Sequence, residues 1–460
     1  MKKIILTALV ITLCGIPVFA GGGNEQPQQS QQQGGVIKIW VGAEAVSFYQ
    51  QKVNEYITKN NFQYAITVEG VDAGAAAAKF LDDTAAGADI FSIAHDNLGR
   101  LIAGSSAIGP ITDQALLRQI LNDNPAIFHN VIKGTVGGTE YTFGIPYRAQ
   151  SLVLYYNKKY LTDDDVKTWE GIWAKAKAAG KQSVTINGDD GYNNSFLVLA
   201  TKASDHTPIA DLYLNNVLTA CNFNSDLAVA TMHWGQRFFT DTSPDGRIFY
   251  GAKRVSDSGW EVELRNEASL SLIGGAWNYS AARAALGSNL GIAVLPNFTL
   301  TTQDVAGTNV AANTVMRSGT FADTVMFVMK KYNINDRAEA ARAAAVQQIL
   351  LYLSSIDIQE AAFNAIQNLP AFKNARAEFA GVRANTTEGL LARMQLEMFD
   401  RGRPQPFGAN TRMNLWYYQS GAPQIVLDIL TNAGNSYDTT AKIKTGMATV
   451  ESIWRTGRRP

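Results

Sequence analysis

Cysteine is nearly absent. The 460 residues contain only Cys14 and Cys221, and Cys14 falls in the leader described below, so the fold is expected to stand on its core without an internal disulfide. Cys221 then reads as a small buried apolar residue. Histidine is also scarce. His95, His129, His206 and His233 have no second His or Cys at metal-ligand spacing, which leaves no expected metal site. There is no G-x-S-x-G elbow, no phosphate-cradling P-loop and no G-x-G-x-x-G, so nothing points to a nucleotide or other cofactor. The loop from Asn187 to Asn193 has Asp and Gly but lacks the closing Glu of a calcium loop, and reads as a plain turn. Net charge is missing too. Forty Lys and Arg balance forty Asp and Glu, which argues against nucleic acid or an anionic membrane surface as the main partner.

What is present begins with an export leader. Lys2 and Lys3 precede an apolar core from Ile4 to Leu13, and Val18-Phe19-Ala20 ends in a small residue before three glycines. Cleavage after Ala20 is expected. Cys14, just past the apolar core, is the alternative, as the lipidated residue of an anchored protein. No later run approaches the ~20 apolar residues that a membrane span needs. Residues 21–35 are Gly, Gln, Ser, Asn and Pro with one Glu, and read as a flexible tether. About 425 residues follow, enough for two or three domain-sized units.

The folded part is organised around residues 87–100, GADIFSIAHDNLGR. Asp89 to Ala94 reads as a buried strand, then His95-Asp96-Asn97 stops the apolar run and Leu98 opens a helix. Polar groups at the carboxyl end of such a strand line the ligand crevice of an open α/β sheet. Asp96 is therefore either a ligand contact or the N-cap of the next helix. Before it come a strand at Val36–Val41, a helix from Glu44 to Lys59, a strand at Tyr64–Val71 and an Ala-rich helix at Ala75–Asp83. This alternation predicts a parallel sheet covered by helices. Further on, Leu152–Tyr156, Val184–Ile186, Leu270–Ile273, Ile292–Leu295 and Thr324–Met329 read as strands. Thr168 and Gly180 bracket a helix, Ser225 caps another, and helical stretches cover Ser195–Ala203, Trp260–Ala268 and Arg337–Ser354. The last third is mostly helical, and the fold class is α/β.

Rings and polar groups gather at the ends of these elements: Glu44, Asp96, Asn97, Gln150, Tyr192, Trp277 and the run Trp416-Tyr417-Tyr418. Flat aromatic side chains, carboxylates and amides together suit a sugar, which offers apolar ring faces and many hydroxyls. Each residue also has a plainer reading. Trp277 fits a core, Glu44 a solvated first-turn carboxylate, and Gln150 a partner for backbone.

Four stretches resemble the extracellular solute-binding proteins of bacterial ABC importers, in particular the maltose/maltodextrin-binding group. They are GADIFSIAHDNLG at 87–99, GIPYRAQSLVLYYNKKYL at 144–161, IGGAWNYS at 273–280 with GIAVLP at 291–296, and MNLWYY at 413–418. The resemblance implies a two-lobed, type II periplasmic-binding-protein fold, each lobe a mixed, mainly parallel sheet covered by helices. It places one lobe at 36–147 plus about 297–353 and the other at 148–296 plus about 354–460, after a signal peptide (1–20) and a tether (21–35). By position, Glu44 and Asp96 match acceptors of sugar hydroxyls, Asn97 and Gln150 stand at contact positions, and Tyr192, Trp277 and Trp416 or Tyr417 match stacking rings. Ala45, Ile93, Asn97 and Gln150 replace the group's lysine, tryptophan, arginine and glutamate, which leaves the identity of the sugar open. The implied protein is a monomeric periplasmic receptor, not an enzyme, that hands a carbohydrate to a membrane permease with a separate ATPase. The rivals are the same fold binding a non-sugar solute, a sensor subunit for a receptor kinase, and an exported glycoside hydrolase using Glu44 and Asp96 as its carboxylate pair.

Overall fold

The computed structural model describes residues 35–187, 191–210, 222–255, 259–372, 385–403 and 421–456. The leader with Cys14, Cys221 and the Trp416-Tyr417-Tyr418 run lie outside them. The chain opens on β1 (Val36–Val41), α1 (Val46–Asn60), β2 (Ala65–Gly70), α2 (Ala76–Asp82), β3 (Ile90–Ala94) and α3 (Leu98–Ile102). β1 pairs in parallel with both β2 and β3, as strands joined by helical crossovers must. Phe48, Tyr49 and Val53 form the buried face of α1, and Ile90, Phe91 and Ile93 bury β3 on both sides. β4 (Ile108–Gly109), α4 (Gln114–Asp123), α5 (Ala126–Val131), the hairpin of β5 (Lys133–Val136) and β6 (Thr139–Thr142), and β7 (Gly144–Gln150) follow.

After β7 the chain passes to a second sheet through Ser151 and Leu152 alone. That lobe contains β8 (Val153–Asn157), α6 (Trp169–Ala179), β9 (Gln182–Asn187), α7 (Ser195–Val198), β10 (Thr201–Lys202), α8 (Asp226–Thr240), β11 (Ala252–Val255), α9 (Trp260–Arg265), β12 (Ser269–Gly274), α10 (Tyr279–Leu286), β13 (Leu290–Ala293), β14 (Asn297–Leu300) and β15 (Thr314–Arg317). Its main sheet runs β11-β9-β12-β8-β13, and β10-β15-β14 form a smaller one. The chain then returns. β16 (Asp323–Lys330) enters the first sheet antiparallel to β3 on one side and to β7 and β4 on the other. Helices α11 (Arg337–Leu353), α12 (Ile356–Ile366), α13 (Thr387–Arg401), α14 (Ala422–Thr431) and α15 (Thr440–Thr456) complete the described chain.

Local signals act where they were expected. The Thr168 hydroxyl accepts from Gly171 N at 3.1 Å, Gly180 closes α6 in the left-handed region (φ 63°), and the Ser225 hydroxyl accepts from Ala228 N. Other expectations give way to tertiary pairing. The helix expected over Ser195–Ala203 stops at Val198, because Thr201 and Lys202 pair with Arg317 and Met316 of β15. The helix expected to reach Ala268 ends at Arg265, where Glu267 turns to φ 56°.

Apolar packing forms two cores. The first joins residues of 37–149 with Val325–Met329, α11, α12 and Leu369–Phe372. The second joins residues of 152–321 with α14 and α15. The packing thus differs from the boundaries expected from sequence. Phe298, Leu300 and Met316 belong to the second core, and Ile358, Ala362 and Phe363 to the first. The reason is pairing partner: β14 and β15 bond to β10, whereas α12 contacts α1 and α11. Helix α13 packs on both, with Leu391 and Met398 in the second core and Ala392 in the first.

Candidate functional site

Because β1, β3 and β7 run parallel and β16 antiparallel, one edge of the first sheet collects three strand ends and one strand start. Glu44 follows β1 in a 3₁₀ turn, Asp96 and Asn97 follow β3 in another, Gln150 ends β7, and Asp323 begins β16 opposite Gln150. Five residues from four separate stretches of the sequence therefore share the edge at which open α/β sheets bind ligands. Glu44 is exposed (side chain 56%), whereas Asp96 is half-buried.

Asp96 does not cap a helix. Neither its own 3₁₀ turn nor α3 has a side-chain cap bond. Instead the Asn97 amide donates to Asp96 Oδ1 at 3.1 Å while its carbonyl oxygen accepts from Arg100. Asn97 is itself buried, so it links Arg100 to Asp96 within the lobe. Burial pushes the Asp96 carboxyl upward from its ordinary value, opposed by its electrostatic interaction with the neighbouring His95 and Arg100. Gln150 is buried as well (8% exposed). His95 Nε2 lies 3.7 Å from Asp323 Oδ1, both deep in the lobe.

The second sheet repeats the arrangement. β9 and β12 are parallel and β8 antiparallel, so Asn187, Gly274 and the start of β8 share the edge where the chain enters from Leu152. Tyr192 follows β9 and Trp277 follows β12. Their rings meet at 5.9 Å and 57°, and Tyr192 stacks on Phe321 at 5.8 Å and 28°. Phe321 belongs to the returning crossing, so this ring cluster is anchored where the lobes join. Trp277 is 43% exposed, which removes the core reading. Gly275 permits its position, since a Cβ there would fall 2.1 Å from the indole.

The lobes are joined closely. Leu152 N donates to Thr320 Oγ1 at 3.1 Å, Ser151 Oγ to the Gln395 carbonyl at 2.8 Å, Ala322 N to the Arg403 carbonyl at 2.9 Å, and Arg403 N to the Thr320 carbonyl at 3.0 Å. Asp323, Phe321, Arg148 and Asn368 were not singled out from sequence. Arg148 lies inside the quoted 144–161 stretch, but only sheet register shows which face it occupies. Trp416 and Tyr417 fall outside the described residues. Among the described residues no group of three or more His, Cys, Asp or Glu could hold a metal, and no helix is long and apolar enough to cross a membrane.

Comparison with known proteins agrees with this architecture. The ligand-free maltodextrin-binding protein MalE1 from L. casei BL23 superposes with a TM-score of 0.67 at 19% identity, over 91% of this chain and 98% of that one. A second solved structure, described as "with acarbose", gives 0.64 at 17% identity over 91% and 97%. No curated protein matches the chain. The family model for bacterial extracellular solute-binding proteins covers residues 52–386. The chain, with two main sheets and two cores joined by chain crossings, belongs to the bacterial extracellular solute-binding proteins.

Proposed function

We propose that this chain is the exported, periplasmic receptor of an ABC importer and that it captures a neutral sugar, of the maltodextrin-like class, between its lobes. The observation that carries this reading is the pairing of two unlike edges at one junction. Exposed Trp277 with Tyr192 offers ring faces on one side, and Glu44 with Asp96 offers carboxylates on the other. A sugar presents both complements at once, C–H faces for the rings and hydroxyls for the carboxylates. A ligand touching both edges is bound better when they approach, so it biases the crossings toward closure. The closed form docks on permease subunits served by a separate ATPase, and the sugar leaves unaltered. The two similar structures whose descriptions name maltodextrin and acarbose support the same class.

Calorimetric titration of the mature chain with glucose, maltose, maltotriose and other mono- and oligosaccharides tests the reading. Binding in the micromolar range or tighter, with the sugar recovered unchanged, is expected. No heat from any sugar below about millimolar concentration refutes it.

A further inference from the structure

The register between β7 and β16 contains one irregularity, and it falls at the site. Arg148 lies opposite Val325 but Pro146 lies opposite Met326, so Tyr147 is an extra residue in the ladder. Such a bulge re-aims the side chains beside it. Regular alternation would put Arg148 on the face away from Tyr147. With the bulge, both lie on the face of Phe327, where Tyr147 stacks at 4.0 Å and Ser92 meets its hydroxyl at 2.8 Å. Arg148 thereby shares a face with Gln150 and Asp323 and reaches toward Glu44 at the sheet's ligand edge.

The guanidinium is held there without being used up. It has five N–H donors. Nη1 donates to Asn368 Oδ1 at 3.2 Å and stands 3.9 Å from Glu44 Oε1, beyond hydrogen-bond reach, while Nε is buried with no acceptor. Two other arginines show what a structural role looks like in this protein. Arg342 grips Asp89 through Nε and Nη2 at 2.8 and 2.7 Å, and Arg237 grips Asp304 through the same atoms at 3.1 and 2.9 Å. Both saturate the fork that Arg148 leaves open.

We infer that Arg148 is a ligand-contacting, specificity-determining residue whose guanidinium donates to a hydroxyl pair of the sugar while the neighbouring Glu44 carboxylate accepts from it. The inference rests on the sugar reading above. The carboxylate beside the cation disfavours an anionic ligand, so the pair selects a neutral vicinal diol. Lysine cannot replace the fork, because it is a point charge without two parallel donors.

The experiment titrates wild type, Arg148→Met, Arg148→Lys, Glu44→Gln and the Arg148→Met/Glu44→Gln double variant with maltose, maltotriose and glucuronate. Ligand-free thermal midpoints are recorded beside each. Expected are losses of about thirtyfold for Arg148→Met and at least tenfold for Arg148→Lys, a ligand-free midpoint within about 2 °C of wild type, and a double variant losing less than the product of the single losses. A strut would instead lower the midpoint and leave the two losses multiplicative. Wild type binding a neutral sugar while the Arg148 variants bind it equally overturns this inference alone, whereas preference for glucuronate over the neutral sugars overturns both this inference and the neutral-sugar reading. Wild type binding none of the probes overturns both readings.

Discussion

Asp89 roots the strand that delivers Asp96, and its removal should be costly. Its carboxylate is 5% exposed and accepts from Lys38 N at 2.8 Å, Tyr332 Oη at 2.6 Å, and Arg342 Nε and Nη2 at 2.8 and 2.7 Å. Those donors come from β1, the turn after β16 and α11, so one side chain ties three elements to the start of β3. Breaking a buried pair by deleting one partner costs about 3–5 kcal/mol, because the other charge is left uncompensated. The Arg342 side chain is 27% exposed and can recover some hydration, which places Asp89→Ala at the lower end, about 3 kcal/mol. The pH dependence has a definite sign. Burial alone would raise the carboxyl, but Arg342 first, then Tyr332 and the Lys38 amide, hold it below the ordinary range. A depressed folded value adds stability that is complete above the unfolded pKa and is lost as pH falls through the folded one. Urea unfolding of wild type and Asp89→Ala should therefore show the full gap at pH 7 and a shrinking gap only under acid conditions below the ordinary carboxylate range. A loss under about 1 kcal/mol at pH 7 would refute the reasoning, placing this pair with exposed ones of little worth.

Two further outcomes bear on the cleft. Trp277→Ala should weaken sugar binding by about thirtyfold, since an indole face contributes about 2 kcal/mol through area and ring contact. Its unfolding midpoint should scarcely move, because the ring is already 43% exposed, and unchanged affinity by calorimetry would remove it from the site. Asp96→Asn should bind sugar less tightly yet be more stable without ligand at pH 7. Its folded pKa is raised, so its contribution is complete below the unfolded value and lost as pH rises through the folded one. The stability gain, read by thermal unfolding, should close as pH is lowered toward the unfolded value; a ligand-free loss at pH 7 contradicts it.

Much of the fold was legible because its signals are local. Periodicity located β1, α1 and β3, and the Thr168, Gly180 and Ser225 caps act within three residues of themselves. Two errors arose where distant strands intervened. Thr201 leaves a helical stretch to pair with β15, and β14 and β15 join the second core because β10 lies there. The site was half legible. Asp96 and Trp277 stand at strand ends that the apolar runs mark. Arg148 was passed over because its direction depends on a bulge that appears only when β7 meets β16.

Sequence by itself determined which segments are strands, which residues end them and which carry rings or carboxylates, since those properties follow from neighbours within a few positions. Only the tertiary structure decided which strand ends share an edge, that Asn97 faces inward to join Arg100 to Asp96, and that Phe321 backs Tyr192 at the lobe junction. Strand-end placement and ring backing depend on partners far apart in sequence, and the burial of Asn97 on what packs over its turn; a one-residue slip in a strand reverses every face it presents.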